Sequence, residues 1–310
     1  MRVAAIDCGT NTIKLLIGSL LPSNGLSVDV REMRMVRLGQ DLDRTGRIAD
    51  EALERAFAAI DEYAEMVRAH DVPADRVRFV ATSATRDAAN SDVFVEGVRD
   101  RLGVEPEVVS GDVEAALSFD GAVRNLRTRP ATPVLVVDIG GGSTELILGA
   151  TTPEASRSMD IGSVRLTERH LHSDPPTEAE IAACVADIDA HLDACPVDPA
   201  GAATIVGVAG TVTQLASVAL GLPAYDRRAV DQHVLPVAEV DAVVDRLLAM
   251  TVDERRAIPS MHPGRADVIG AGTLILDRVL RRSGLDTMVV SDCDILDGIA
   301  WSMVDRRDAP

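Results

Sequence analysis

Apolar residues run through the first forty positions in short continuous stretches and in two-residue alternation, which predicts strands over 3–7, 12–20 and 26–38. The period then changes. Leu53, Phe57, Ile60, Ala64 and Val67 recur at helical spacing and predict an amphipathic helix over 51–69. A strand over 77–81 follows, then a helix from about 91 that stops at Gly103, where a left-handed C-terminal cap favours glycine. A strand over 105–109 leads into a helix beginning near Gly111.

After the Arg-, Thr- and Pro-rich stretch RNLRTRPATP the pattern starts again, with strands over 134–138, 144–149 and 156–161. Asp7-Cys8-Gly9-Thr10 and Asp138-Ile139-Gly140-Gly141 each end an apolar strand and open a hairpin, 131 positions apart. That spacing marks a duplication rather than a short-period solenoid. Thr177 and Glu180 form a capping box for a helix over 181–192, and 240–250 reads as another helix. The uncharged segment 199–225 is long enough to cross a bilayer, but its glycines, Pro223 and Gln214 break it into a buried strand, a turn and a helix. The expectation is therefore an α/β protein of two similar domains, 1–127 and 128–310, with a ligand cleft between them.

Composition narrows the function. The 310 residues carry a net charge of −18 and only 2% aromatics, which argues against a nucleic-acid surface of basic patches and stacking rings. Cys8, Cys184, Cys195 and Cys293 form no CxxC pair, and the N-terminus turns acidic too early for a secretory signal, so a cytoplasmic location is expected. No membrane partner is expected either.

The glycine turns carry the candidate chemistry. A hairpin can turn on two residues, so GGGST between two strands exceeds what turning requires. Successive glycine amides can form a nest that holds an anion without net positive charge, which suits an acidic chain. Ser143 and Thr144 add hydroxyls to Gly140, Gly141 and Gly142, while Asp138 and Glu145 are hard oxygen ligands suited to Mg²⁺ beside a phosphate. One such loop fits close packing of sheets equally well; two matching loops favour phosphate. The first supplies Gly9, Thr10, Asn11 and Thr12, followed by Lys14, the one lysine among thirty arginines. Neither a Walker A pattern nor GxGxxG occurs. His170 and His172 read as surface histidines on a helix, and His233 and His262 as locally satisfied ones. Gly207, Gly210 and Thr211 precede a helix able to bind a further phosphate, and Arg265 with Asp267 fits a buried pair as well as a substrate contact.

In order, DCGTNTIKLLI, ATSATRDAAN, SGDVEAALSFDGA, VVDIGGGSTELILG, GSVRLTE, GVAGTVTQLA, HPGRADVIGAG and SDCDILDGI resemble the exopolyphosphatase and guanosine pentaphosphate phosphohydrolase family. The likeness covers essentially the whole chain, in the short form without extra C-terminal helical domains. It implies two duplicated ribonuclease H-like domains of the actin-like ATPase superfamily, with an interdomain cleft and a last helix able to pack back on the first domain. It implies Glu114 as the catalytic glutamate activating water, with Arg86 and Lys14 beside the substrate phosphates. Gly9, Thr10, Asn11 and Thr12 match the first phosphate loop and Gly140 to Thr144 the second, with Asp138, Glu145 and Asp7 as metal-associated acids.

The activity so implied is release of terminal phosphate from short inorganic polyphosphate with Mg²⁺, or Mn²⁺ in its place. Guanosine pentaphosphate hydrolysis and a catalytically weak sensor of either ligand are the alternatives, and a homodimer is the default assembly. Two departures bear on substrate range: Val113 stands where a second glutamate is common, and DILDG lacks an arginine often found before its last acid.

Overall fold

The structure is a computed structural model that describes residues 1–21 and 25–305. The chain divides into two compact units, one formed by Met1–Gly121 with the described residues from Ile295 onward, the other by Ala122–Asp294.

In the first unit the strands are β1 (Arg2–Cys8), β2 (Thr12–Leu20), β3 (Leu26–Met35), β4 (Val77–Ala81) and β5 (Glu107–Val108), in the order β3-β2-β1-β4-β5. The first three form an antiparallel meander, and β4 and β5 run parallel to β1. β1 is apolar from Val3 to Ile6 because both of its faces are covered there. Ala4, Ile6 and Cys8 meet Ala56, Ile60 and Tyr63 of the helix Asp50–Ala69, together with Phe94 of the helix Ser91–Leu102. The opposite face packs Ala5, Leu16 and Val80 against Leu117 of the helix Gly111–Arg124 and against Leu296, Ile299 and Ala300 of the helix Ile295–Asp305.

The second unit repeats the plan. Its strands are β6 (Val134–Ile139), β7 (Thr144–Gly149), β8 (Pro153–Met159), β9 (Thr204–Val208), β10 (Val234–Pro236) and β11 (Thr287–Val290). The order β8-β7-β6-β9-β11 matches β3-β2-β1-β4-β5, with the same antiparallel meander and the same parallel partners, and β10 is added at the edge. The duplicated ribonuclease H-like plan is therefore present in the strand order itself. The uncharged segment holds the expected buried strand, β9, and the expected helix, Ala209–Ala219, but the helix follows the strand directly and the short 3₁₀ turn Pro199–Gly201 comes before the strand. Among the described residues no helix is long and apolar enough to cross a membrane.

Three of the expected strands take other bounds, each for a tertiary reason, while β10, β11 and the helix Ile269–Ser283 fall where no element was predicted. β3 ends at Met35 because the amides of Val36, Arg37 and Gly39 turn to the carbonyls of Asn11 and Thr10 instead of a ladder. β5 shrinks to two residues, although the Val109 amide still reaches the Ala81 carbonyl. β8 covers Pro153–Met159, and Ile161 gives its carbonyl to the Thr144 hydroxyl. The one-turn helices Leu42–Thr45 and Ser83–Asp87 are too short for periodicity to reveal.

Candidate active site

Each unit places its candidate residues at the carboxyl ends of its parallel strands, where open α/β sheets bind ligands. In the first unit Cys8 is level with Ala81, and Ala81 with Val108. The turn after β1, the helix Ser83–Asp87 and the start of the helix Gly111–Arg124 therefore emerge side by side.

The first turn is closed by the Gly9 amide donating to the Thr12 carbonyl at 3.0 Å. The Thr10 carbonyl accepts from Gly39, and the Asn11 carbonyl from Val36 and Arg37. A trans peptide directs its N–H opposite to its C=O, so with these carbonyls held by the chain after β3, the amides of Asn11 and Thr12 point the other way. Thr10 shares a 2.8 Å hydroxyl contact with Ser83, fixing the turn to the neighbouring helix. Lys14 lies directly across the ladder from Asp7, with Nζ 3.4 Å from Oδ2.

Glu114, only 7% exposed, sits in the first turn of its helix. Arg86 Nη1 donates to its carboxylate at 3.0 Å and to the Val109 carbonyl at 3.0 Å, so one guanidinium fixes both the acid and the end of β5. Sequence spacing gave no hint of this pairing across 28 positions. Cys8, beside Asp7, is buried, and burial followed by the Asp7 charge pushes its thiol well above the ordinary range, which makes it an inert packing residue.

The second turn is built alike. Gly140 donates to the Ser143 carbonyl at 3.0 Å, the same bond 131 positions on. The Gly140 carbonyl accepts from the Ser163 amide, the Gly141 carbonyl from Val164 and Arg165, and the Gly142 carbonyl from Arg165 Nε. Three successive carbonyls thus cap the start of the helix Ser163–His170, and the amides of Gly141, Gly142 and Ser143 are turned to the opposite side. Asp138 and Glu145 are directly opposed in the β6–β7 ladder, 7% and 2% exposed, and opposed residues of an antiparallel pair leave the same face. Ser158 donates to Glu145 at 2.6 Å.

Ser83, Ser158, Gly162, Ser163 and Arg165 were missed as site residues in the sequence; all except Ser158 lie inside quoted motifs, but their roles appear only with their partners.

The model of the Ppx/GppA phosphatase family matches residues 22–307. The chain belongs to the Ppx/GppA phosphatase family. It is 48% identical to exopolyphosphatase 2 of Mycobacterium tuberculosis, over 97% of this chain and 98% of that protein. A solved exopolyphosphatase-like protein superposes with a TM-score of 0.94 at 46% identity, covering 99% of this chain and all of that one. The guanosine-5'-triphosphate,3'-diphosphate pyrophosphatase of Vibrio atlanticus is 29% identical over 98% of this chain, which spans 59% of that relative.

Among the described residues no group of three His, Cys, Asp or Glu is placed to hold a metal by itself. Two hard carboxylates on one strand pair, without a third protein ligand, fit an ion that keeps waters and shares phosphate oxygens. They do not fit a closed structural site.

The remaining candidates have local partners. His170 Nε2 and Arg169 meet Asp187 at 2.7 and 2.8 Å, and burial followed by the Arg265 charge lowers the His262 pKa. Arg265 packs its guanidinium where a Gly210 side chain would stand, and burial lowers its pKa in turn. Tyr225 and Arg227 both donate to Asp292 nearby.

Proposed function

We propose that this family member is an exopolyphosphatase that releases the terminal phosphate of inorganic polyphosphate. The observation that carries the reading is the pair of turns whose successive carbonyls are all anchored inside their own unit, leaving consecutive amides directed away from the anchors. Such amides bind phosphate oxygens without net positive charge, which reconciles a polyanionic substrate with a charge of −18. The reading gives each unit its own set of phosphate-binding groups: Gly9, Thr10, Asn11 and Thr12 in the first, Gly140 to Thr144 in the second.

Phosphoryl transfer needs positioning and charge neutralisation more than covalent chemistry. Glu114 accepts a hydrogen bond from the attacking water and takes up its proton, and Arg86 holds that carboxylate while its charge faces the phosphates. Asp138 and Glu145 would hold Mg²⁺, with Mn²⁺ as its substitute, which when bound neutralises non-bridging oxygens. Short chains are favoured because the sequence offers no basic track for a long polyanion. Four cysteines without a disulfide agree with a cytoplasmic protein.

The test offers short polyphosphate, long polyphosphate, guanosine pentaphosphate and ATP with Mg²⁺ to the wild type and to Glu114→Gln. Phosphate release and binding are measured together. Release from short polyphosphate is expected, with kcat falling about 10²–10⁴-fold in the variant while binding persists. Unchanged release in Glu114→Gln removes this mechanism. Preferred turnover of guanosine pentaphosphate replaces the substrate, and tight binding without release from any of the four makes the protein a sensor.

A further inference from the structure

The duplication allows the two turns to be compared position by position, and they differ in charge at one place. Asp7 and Asp138 are equivalent, each at the end of the first strand of its unit. The residue opposite Asp7 in the ladder is Lys14; the residue opposite Asp138, 131 positions after Lys14, is Glu145. One paired position is neutral and the other carries two negative charges. The 3.0 Å amide-to-carbonyl bond that closes each turn is the same in both.

The residue type adds to this. Every other basic side chain of the K/R class in the protein is arginine, yet this position holds the single lysine. An ammonium is a compact, roughly spherical charge, whereas a guanidinium is a planar fork. A carboxylate that must be matched by something the size of an ion is matched by the former. Its Nζ lies 3.4 Å from Asp7 Oδ2, a distance of charge pairing rather than of a tight hydrogen bond, and the side chain is largely buried.

We infer that Lys14 is the resident cation of the first turn, taking beside Asp7 the place that a divalent ion takes beside Asp138 and Glu145, so that the first turn grips phosphate without a metal. Asp7 is then a partner that positions Lys14 and not a metal ligand, in contrast to the expectation from sequence. The inference rests on the metal reading proposed for Asp138 and Glu145.

The test counts Mn²⁺ bound to the intact protein without phosphate, from the electron paramagnetic resonance signal of free Mn²⁺, with thermal melting as the control for folding. Wild type is expected to bind one ion and Glu145→Gln none. Asp7→Asn is expected to keep its one ion, because Asp7 does not ligate it. Lys14→Glu, which rebuilds the first turn in the image of the second, is expected to bind two, and Lys14→Glu with Asp7→Asn to return to one.

A folded Lys14→Glu protein that still binds one ion overturns the inference, as does loss of the wild-type ion in Asp7→Asn. Should Lys14→Glu fail to fold, the Asp7→Asn count decides alone. A wild type that binds no ion, or a Glu145→Gln variant that keeps it, overturns instead the metal reading beneath.

Discussion

Gly162 shows how a single residue holds the second turn. Its φ of −146° is open to any amino acid, so conformational freedom is not the reason for glycine there. Space is the reason: an added Cβ would lie 2.6 Å from the Gly142 carbonyl carbon and nearer still to the Gly141 carbonyl oxygen. Both are backbone atoms of the turn and cannot step aside as a flexible side chain would. Gly162→Ala is expected to destabilise the fold by about 1–3 kcal/mol, the usual cost of overpacking. It should also abolish phosphate release, because the carbonyls that orient the turn would lose their partners. Urea unfolding and a phosphate assay check both parts, and a wild-type unfolding curve would refute the steric argument. The sequence showed the three consecutive glycines of the turn but gave no reason to single out the one 20 positions further on.

At the scale of elements, the capping box expected at Thr177 and Glu180 is present, and the helix Glu178–Asp193 starts three residues before the apolar period predicts. Capping is legible because it depends on two residues three apart. The Glu180 carboxylate accepts from the Thr177 amide and hydroxyl and also from His172 and Ser173, so it ties the preceding loop to the helix. The Thr177 amide, first among these donors, lowers the Glu180 pKa from 4.5 to about 2. A carboxylate depressed on folding stabilises the native state above its unfolded pKa, and this contribution is lost as pH falls through the folded one. The cap is therefore expected to hold at pH 5 and above and to weaken from about pH 4.5 toward pH 2. Comparing acid titrations of wild type and Glu180→Gln by thermal melting checks this: the wild-type advantage should be constant near neutrality and vanish toward pH 2. An advantage that persists at pH 2 would count against it.

Over the whole molecule, the chain builds one strand order twice and then returns its last described helix, Ile295–Asp305, to the first unit. Trp301, 3% exposed, packs on Val3 of β1, and Asp297 and Ser302 accept from Arg31 and Arg78. Gly298 lies so close to Leu117 that a Cβ there would overlap the Leu117 carbonyl. Trp301→Ala is expected to cost about 3–5 kcal/mol, the range for emptying a large aromatic site, read from the urea midpoint. A shift below about 1 kcal/mol would mean that the helix is not part of the first unit's core. Sequence by itself determined what depends on neighbours a few residues apart: the two strand meanders and several of the long helices, the capping box, the duplicated acid–glycine turns and the family motifs, but not β10, β11 or the helix Ile269–Ser283. Tertiary structure decided what depends on strand order. It brought Arg86 to Glu114, tied each turn's carbonyls to a segment 20 or more residues away, and set Lys14 opposite Asp7 where the other half sets Glu145 opposite Asp138. Periodicity specifies which face of an element is buried, but hydrogen bonds between distant segments exist only once the sheet has fixed which strand ends lie side by side.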